Sequence, residues 1–540
     1  MAHRLSRLVA GAAVAAPVLV GLAVAQTASA APITCSVPGL IAAINAANGA
    51  ASGATVTLAA GCVYTLATAN NPTDGGTGLP VITGKVTVQG NGATIARSGT
   101  ATAAFRIFDV ASAGRLTLRS LTLRKGLADN GTEGGGAIFS RGALSVTSGK
   151  FTGNSAPATT GTSGGAINSS GPLTVTLSTF SGNSGQEGGG IFNQSLTATA
   201  TVTKSTFTGN TGTIYGGGAL VSADGTTIVA ADTFAGNSTG PTGGGGAIDN
   251  DATVGISDST FSGNTGGTNG GGAVQNFGTA TITYSTLSGN SSPYGADIHN
   301  STTKTLSVSS SIVAGGVGGS NCSGTPAITD GGYNIDSGTS CGFSAASHSM
   351  NSTNPQLGAL ASNGGPTQTM ALPATSPAFG AIPRTVKGCT GSTDQRGIPR
   401  PQGTGCDVGA YERIVSGPVK GIASKCLDDY RSGTGNGNKI DLYTCNGKAS
   451  QKWTAAVGNT LQARGKCLND YHGGTANYTA IDLWSCNGTS AQVWVYQSDG
   501  AYLNPASHKC LDDYHARSTN GNKIDLYACN GKASQRWSTP

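Results

Sequence analysis

The tetrapeptide Phe151-Thr152-Gly153-Asn154 decides the fold of this chain, because it recurs at a nearly constant spacing. The later copies begin at Phe180, Phe207, Phe234, Phe261 and, with leucine in place of phenylalanine, Leu287. The successive asparagines are 29, 27, 27, 27 and 26 residues apart. A fixed period of this length is typical of a solenoid, in which each repeat packs on its neighbours.

Short alternating segments between these tetrapeptides define the kind of solenoid. In residues 173–177 and 280–284, apolar side chains occupy every second position and threonine fills the others, which predicts half-buried strands. A second turn of the form Gly-Gly-Ala begins at residues 135, 164, 217, 245 and 271. Because such a short unit cannot bury its apolar side alone, the repeats must stack coil on coil. The sequence therefore predicts a parallel β-helix.

Two residues of the tetrapeptide are expected to build the interior of this β-helix. An asparagine in a turn tolerates left-handed backbone, and stacked amides can hydrogen-bond to one another along the axis. Phenylalanines stacked from repeat to repeat would form an internal aromatic ladder. We therefore interpret both columns as structural and not as ligand-binding.

Residues 1–30 have the pattern of a secretory signal peptide. Arg4 and Arg7 precede an apolar run from Leu8 to Ala25, and residues 28–30 are small, as a signal peptidase requires. An uncleaved membrane anchor is the alternative. Since no later segment has the apolar length of a membrane span, we expect a secreted, extracellular protein.

The twelve cysteines fall into six sequential couples, which suits an oxidising compartment. Sequence alone does not fix their connectivity, but the last three couples share a spacing of 19 residues and one sequence context, which favours local pairing. There is no Cys-x-x-Cys pair and no histidine set at metal-ligand spacing, so we expect no zinc and no cofactor. The predicted disulfides join Cys35 to Cys62, Cys322 to Cys341, Cys389 to Cys406, Cys426 to Cys445, Cys467 to Cys486, and Cys510 to Cys529.

Composition indicates several turn-rich domains, since the 540 residues include 86 glycines and only 10% charged residues. The net charge of +6 is too small to indicate a nucleic-acid partner. After the signal peptide we predict a β-helix with an N-terminal cap (31–350), an end module (351–414) and a second repeat array (418–540).

The N-terminal part of the β-helix resembles known secreted proteins. Thr34-Cys35-Ser36, followed by a segment with helical spacing at residues 41–48, is similar to the N-terminal cysteine module of bacterial secreted β-helix proteins, although residues 37–40 lack the charges usual there. A helix at this place would cover the open strand edges of the first coil. The repeats at about residues 130–300 resemble polymorphic outer-membrane proteins and the pectin-lyase-like superfamily. This implies a right-handed parallel β-helix, but no single function.

Residues 351–414 resemble the end module of bacterial choice-of-anchor surface proteins. The resemblance rests on Asn354–Gly358, Asn363–Thr367, Ser376–Ala378, Thr393–Pro401 and Cys406–Glu412, which occur in the order of that family. Such a module usually precedes an anchoring signal, whereas here a second repeat array follows.

That array contains three copies of one unit, at spacings of 41 and 43 residues between Lys425, Lys466 and Lys509. Each unit begins Lys-Cys-Leu and ends Gln-x-Trp, and the array resembles the ricin-type β-trefoil lectin. The resemblance implies that Trp453, Trp494 and Trp537 belong to the core. It also implies sugar contacts by an acid or amide, an aromatic ring and an asparagine, which suit hydroxyl groups and the C–H face of a sugar. These are Asp428, Tyr443 and Asn446; Asn469, Trp484 and Asn487; and Asp512, Tyr527 and Asn530.

Catalysis on the β-helix is the alternative to a purely binding role. Lyases of this fold commonly use arginine or lysine as the base. Between Lys150 and Arg384, however, the sequence contains only two such residues, Lys204 and Lys304. For hydrolysis, the best acid pair is Asp249 and Asp251, which would point to one side of an extended stretch. We expect this pair in the column that contains Ser140, Ser169, Asn276 and Asn300. The alternative to a catalytic role is that the two acids belong to a solvated turn.

The sequence therefore favours a secreted carbohydrate-binding protein whose lectin is carried on a β-helix stalk or second polysaccharide-recognition surface. The alternative is a polysaccharide lyase or glycoside hydrolase that the lectin targets to its substrate. The expected partner is a galactose- or xylose-type polysaccharide or glycoconjugate, and we expect a monomer. Asp428 and Asp512 should bind more strongly than Asn469, because charge strengthens acceptor bonds to hydroxyls.

Overall fold

The computed structural model describes residues 31–129, 134–157, 163–301 and 304–540. The predicted signal peptide lies outside these residues. Within them, no helix has the length and apolar character needed to cross a membrane. The described ranges contain one α-helix, Val37–Asn48, and the short 3-10 helices Thr73–Gly75, Ala345–Ser347, Ile422–Ser424, Tyr430–Ser432, Ala449–Gln451, Tyr471–Gly473, Ser490–Gln492, Tyr514–Ala516 and Ala533–Gln535.

Parallel sheets wind into a β-helix, as predicted. Sheet one consists of Ala54–Thr57, Lys85–Gln89, Arg115–Arg119, Ala143–Thr147, Leu173–Thr176, Thr199–Thr203, Thr226–Ala230, Thr253–Ser257, Thr279–Thr283, Leu306–Ser309 and Thr329–Asp330. Sheet two consists of Val63–Leu66, Thr94–Arg97, Thr122–Arg124, Lys150–Thr152, Thr179–Ser181, Thr206–Thr208, Thr233–Ala235, Thr260–Ser262, Thr286–Ser288, Ile312–Ala314 and Ile335–Asp336. Sheet three consists of Phe108–Val110, Ile138–Ser140, Ile167–Ser169, Ile191–Asn193, Leu220–Ser222, Ile248–Asn250, Val274–Asn276, Gly295–Asn300 and Ser320–Gly324. A short fourth sheet contains Ser155–Ala156, Ser184–Gly185, Thr211–Gly212 and Ser238–Thr239.

The recurring tetrapeptide builds two buried ladders along the β-helix axis. The phenylalanine rings from Phe151 to Phe261 stack with centroids 4.6–4.8 Å apart and nearly parallel planes. From Asn154 to Asn290, each Nδ2 donates to the next Oδ1 at 2.8–2.9 Å. The structural interpretation of both columns is therefore confirmed.

The α-helix Val37–Asn48 covers the first coil. Its buried face consists of Leu40, Ile44 and Ala47. Asn48 ties the end of this helix to the solenoid, because its Nδ2 donates to Val81 O at 2.8 Å and its Oδ1 accepts from the backbone of Thr83 at 3.0 Å. The helix is thus held against the first coil at both its buried face and its C-terminal end.

The end module, residues 351–414, packs along sheet two. Gln395 is buried at this contact, where its Nε2 donates to Thr233 Oγ1 (3.0 Å) and its Oε1 accepts from Thr260 Oγ1 (2.6 Å). Arg400 forms an ion pair with Asp258 (Nη1–Oδ1, 2.6 Å). Apolar residues of both parts share one core, formed by Tyr284, Ile312 and Ile335 of the β-helix with Leu372, Ala378, Ile382 and Val408 of the module. Two short antiparallel pairs complete the module, Leu360–Ala361 with Thr369–Met370 and Ile382–Pro383 with Gly405–Cys406.

The C-terminal array is an antiparallel domain with a separate core. Its strands are Ser416–Gly417, Cys426–Asp429, Asn438–Tyr443, Trp453–Ala456, Thr460–Ala463, Lys466–Asp470, Ile481–Trp484, Val495–Tyr496, Tyr502–Asn504, Lys509–Asp513 and Asn522–Ala528. Its core is built of residues between Val419 and Trp537. Arg384 of the end module contacts the C-terminal domain, because its guanidinium group donates to Tyr496 OH (2.9 Å) and Thr539 Oγ1 (2.6 Å).

All six predicted disulfides are present. Three of them close corresponding loops of the C-terminal array, each with a sequence separation of 19. This pairing confirms the local connectivity that the sequence favoured. Among the described residues, histidine, cysteine, aspartate and glutamate form no group that could hold a metal ion.

Candidate carbohydrate-binding sites

The tryptophan that ends each repeat belongs to the core, as the resemblance implied. Trp453, Trp494 and Trp537 are at most 3% exposed, and each indole nitrogen donates to a leucine backbone oxygen at 2.8–3.0 Å. The preceding glutamine is structural too. In repeat one, Gln451 accepts from Asn446 N (2.8 Å) and donates to the backbone of Thr444 (3.1 Å). The Gln-x-Trp segment therefore fixes each repeat and leaves ligand contacts to other residues.

In each repeat, the predicted sugar-binding residue that follows Cys-Leu lies opposite an aspartate on the neighbouring antiparallel strand, which we call the second acid of the repeat. This acid is flanked by core isoleucine and leucine, so strand alternation places it on the same face as the aromatic residue two positions later. Each repeat therefore sets a pair of polar side chains beside a ring. The opposed pairs are Asp428 with Asp441, Asn469 with Asp482, and Asp512 with Asp525.

Hydrogen bonding within these pairs differs between the repeats. In repeats one and three a serine holds the first acid: Ser450 Oγ donates to Asp428 Oδ1 at 3.0 Å, and Ser534 Oγ donates to Asp512 Oδ1 at 2.9 Å. In repeat two, Asn469 Nδ2 donates to Asp482 Oδ1 at 2.8 Å. Repeat two thus has a pair joined by a direct hydrogen bond, whereas the other repeats place two carboxyl groups side by side.

The second acids of repeats one and three are buried acceptors with perturbed protonation. Burial, together with the charge of Asp428, raises the pKa of Asp441 to about 6. Burial raises the pKa of Asp525 to about 7, although nearby Lys523 acts in the opposite direction. Among the described residues, neither carboxyl group has a hydrogen-bond partner. Each of these buried carboxyl groups is instead paired with a lysine two residues before it in the strand.

The change from aspartate to asparagine in repeat two is accompanied by the loss of a lysine. Lys439 lies 3.8 Å from Asp441 and Lys523 lies 3.3 Å from Asp525, measured from Nζ to Oδ2. Ala480 occupies the corresponding position of repeat two. With ionised acids, the opposed pair and its adjacent lysine carry one net negative charge in repeats one and three, and Asp482 alone carries the same charge in the pair of repeat two.

The predicted asparagines are exposed and use only one end of their amides. Asn446 Oδ1 accepts from Lys448 N at 2.9 Å, and Asn487 and Asn530 make the same local bond. Among the described residues, the amide nitrogens have no acceptor. Each asparagine can therefore donate a hydrogen bond to a ligand beside the ring and the acid.

Cavities mark the sites of repeats two and three. The first has a volume of about 340 Å³ and brings together the predicted Asn469, Trp484 and Asn487. The second, of about 260 Å³, brings together the predicted Asp512, Tyr527 and Asn530. The sequence interpretation missed further lining residues, namely Tyr471, His472 and Asp482 in the first cavity and Tyr478, His515 and Lys532 in the second.

The sequence does contain a pattern that predicts where the second acids lie. In Lys439–Tyr443 the apolar residues alternate with Asp441 and Tyr443, so the acid had to lie on the face of the predicted ring. Tyr478 carried no such signal, because it reaches the site of another repeat.

A further cavity of about 280 Å³ lies on the β-helix and contains both predicted acids, Asp249 and Asp251. Glu187 joins them, and Tyr215 and Phe277 present partly exposed rings. The lining residues that the structure describes include no lysine or arginine. A Cβ atom on Gly216 or Gly244 would overlap the carboxylate of Asp249, so these glycines make room for it.

The expected column of this acid pair was wrong. Strand pairing places Asn250, and neither aspartate, in the column of Ser222 and Asn276, while Asp249 pairs with Val221 and Gln275. The reason is the pleat: Ile248 and Asn250 face the interior, so Asp249 faces outward. Burial raises the pKa of Asp249 well above its ordinary range, and the charges of Asp251 and Glu187 add to this effect.

Comparison with known proteins identifies the C-terminal array. Residues 415–537 match the family model for the ricin-type beta-trefoil lectin domain. The array is a ricin-type lectin domain. This lectin domain includes the strand Ser416–Gly417, which precedes the predicted start at residue 418. Carbohydrate binding is the activity that such a domain supports.

Solved structures also include similar proteins. An agglutinin from Abrus precatorius is 25% identical over 24% of this chain and 48% of its own, with a TM-score of 0.22. The designed threefold-symmetric protein ThreeFoil is 26% identical over 23% of this chain and 96% of its own, with a TM-score of 0.22. A non-toxic homologue of type II RIPs from Momordica charantia, solved with α-methyl-D-galactoside, is 25% identical over 23% of this chain and 47% of its own, with a TM-score of 0.22. This chain thus spans about half the length of the two plant proteins, and no curated protein matches it.

Proposed function

We propose that this protein is secreted and binds a galactose- or xylose-type polysaccharide through three sites of its lectin domain. The observation that carries the proposal is the recurrence, in each repeat, of buried polar acceptors beside an aromatic ring and an exposed asparagine. Six disulfides are consistent with an extracellular location.

Each group has a distinct part in this binding. The acids accept hydrogen bonds from two sugar hydroxyls, the ring covers the C–H face of the sugar, and the asparagine donates through its free amide nitrogen. Such a small contact gives weak affinity at one site. Strong retention therefore depends on several sites that engage one polymer together.

The relative strength of the sites remains a prediction from the sequence. Asp428 and Asp512 provide the charged acceptors, and loss of either should cost its site about 1.5 to 3 kcal/mol. In repeat two, Asp482 supplies a carboxylate beside Asn469. The predicted difference in binding strength between repeat two and the other two repeats is therefore smaller than the change from aspartate to Asn469 alone would suggest.

Affinity electrophoresis in gels that contain galactan or xylan tests this proposal. The variant Asp428→Ala/Asp512→Ala should lose far more retention than Asn469→Ala, because two of three sites are weakened. Asp499→Ala, which removes an exposed acid of the lectin domain outside the sites, is the control for net charge. Full retention of the double variant, or a larger loss with Asn469→Ala, would contradict the assignment.

A second candidate function, glycan hydrolysis, is favoured by the β-helix cavity. A buried acid of raised pKa beside a more exposed acid is the arrangement that glycoside hydrolysis uses, with Asp249 as the proton donor and Asp251 or Glu187 as its partner. The lack of lysine and arginine among the described lining residues makes a lyase of the usual basic type a poor fit.

Release of reducing ends from a panel of neutral polysaccharides tests the second candidate. Asp249→Asn and Asp251→Asn should each abolish release, whereas Asp129→Asn, which changes an exposed acid outside the cavity, should not. If the unsubstituted protein releases no product, the β-helix serves as a stalk or as a binding surface.

A further inference from the structure

A loop of each lectin repeat reaches into the next repeat. Asn436 Oδ1 accepts from Ser485 N at 2.9 Å, and Asn477 Oδ1 accepts from Ala528 N at 3.0 Å. Asn520 closes the cycle, because its Oδ1 accepts from Thr444 N at 2.9 Å. The residue that follows each of these asparagines is therefore held over the neighbouring site.

That following residue is glycine in two loops and tyrosine in the third. Gly437 and Gly521 both have φ 82°, whereas Tyr478 has φ 68°. Left-handed backbone suits glycine and is strained for tyrosine. The loop that carries the tyrosine is the loop of repeat two, which reaches repeat three.

The backbone gives no reason for a tyrosine at this place. In all three loops the backbone N–H of this residue donates to a core leucine: Gly437 to Leu483, Tyr478 to Leu526 and Gly521 to Leu442. The residue is 47% exposed, and its ring contacts the rings of Tyr514, His515 and Tyr527. A half-exposed aromatic residue in left-handed backbone, at a position that is glycine in the other two repeats, points to a function.

The ring of Tyr478 lies in the site of repeat three. Its centroid is 5.2 Å from that of Tyr527, with 57° between the planes, and it lines the cavity that contains Asp512 and Asn530. At this separation the two rings contact each other and leave no room for a sugar between them. Both rings line this cavity, whereas in repeat one Gly521 stands in place of the second ring and leaves Tyr443 alone at this position.

We propose that Tyr478 makes the site of repeat three a composite site that binds two adjacent sugar units of a polysaccharide. Tyr527 and the acids hold the first unit, and Tyr478 covers the apolar face of the second. Repeat one, where Gly521 occupies the equivalent position, binds one unit. This inference rests on the proposed lectin function and assigns its ligand at this site as an internal segment of a polymer.

Titration calorimetry on the full chain carrying Asp428→Ala/Asn469→Ala, which leaves site three intact, tests the inference. The probes are galactose with β-1,4-galactobiose, and xylose with xylobiose. The disaccharide of the recognised pair should bind about five-fold more tightly than its monosaccharide, as one added aromatic contact allows. Tyr478→Gly should abolish this preference, whereas Tyr478→Phe should keep it.

A reciprocal variant and a stability measurement separate the outcomes. Gly521→Tyr in the Asn469→Ala/Asp512→Ala background should give site one a preference for the disaccharide. The melting temperature of Tyr478→Gly should equal or exceed that of its parent, because the strain is relieved. An unchanged preference in Tyr478→Gly overturns the composite site alone. Failure of the parent to bind any of the four sugars overturns the proposed function together with it.

Discussion

At the scale of single residues, Asp525 is a fully buried carboxyl group whose environment opposes its charge. It lies opposite Asp512 and close to Asp513, and only Lys523 offers a compensating charge. The pKa of about 7 means that the folded state binds the proton more tightly than the unfolded chain, where the ordinary value is 3.8.

This pKa predicts the direction of the pH dependence of stability. Between about pH 4 and 7 the folded state holds more protons than the unfolded state, so stability falls as pH rises through this range and then levels off. The melting temperature of the lectin domain should therefore be higher at pH 5 than at pH 8, by about 3 °C or more.

Asp525→Asn should raise the melting temperature at pH 8 and flatten this dependence, as measured by calorimetry without sugar. Asp499→Asn is the matched control on the surface of the same domain. An unaltered slope in Asp525→Asn would mean that other acids cause the pH dependence.

At the scale of elements, the asparagine ladder links neighbouring coils more specifically than the sheets do. Asn210 Nδ2 donates to Asn237 Oδ1 (2.9 Å) and to Phe180 O (3.0 Å), and its Oδ1 accepts from Asn183. Each buried amide thus satisfies groups in two other coils. A defect in one rung leaves donors and acceptors unpaired above and below it.

Asn210→Ala should therefore lower the free energy of unfolding by about 2 to 4 kcal/mol, because buried polar groups lose their partners. Urea unfolding followed by circular dichroism measures this change. Thr208→Ala, on an exposed position of the strand Thr206–Thr208, should have little effect. Equal losses in the two variants would show that the ladder contributes no specific stability.

At the scale of the whole molecule, the end module contacts both the β-helix and the lectin domain, but in different ways. It shares a core with the β-helix, and it contacts the lectin domain through hydrogen bonds of Arg384 and Gln402. The lectin domain has its own core and three internal disulfides. Whether the lectin domain is autonomous therefore becomes a prediction that a fragment can test.

A fragment of residues 415–540, produced in an oxidising compartment, should fold and bind the same glycan as the full chain. Beginning at residue 415 retains the pairing of Ser416 with Thr454 and of Gly417 with Trp453, which a start at 418 would remove. Proton NMR and titration with sugar measure folding and binding. The end module without the β-helix should instead stay unfolded, since the β-helix contributes four of the ten buried residues of their shared core. A disordered lectin fragment would contradict the boundary.

The sequence by itself determined the features that repeat or that pair locally. The period of the Phe-x-Gly-Asn element predicted the β-helix and both ladders, because stacked coils place equivalent residues in one column. Local spacing predicted the six disulfides, and the Cys-Leu and Gln-x-Trp repeats led to the lectin domain. Each of these features depends on a short stretch of chain or on a period that can be read from one copy to the next.

Only the tertiary structure decided which side chains meet across strands and repeats. The pleat of sheet three, and not the spacing of the acids, turned Asp249 outward into the cavity with Glu187. Antiparallel register brought Asp441 to Asp428, and the threefold arrangement of the lectin domain brought Tyr478 of one repeat to Tyr527 of the next. Such contacts depend on how whole elements pack against one another, even where strand alternation already indicates the face of one residue, as it does for Asp441.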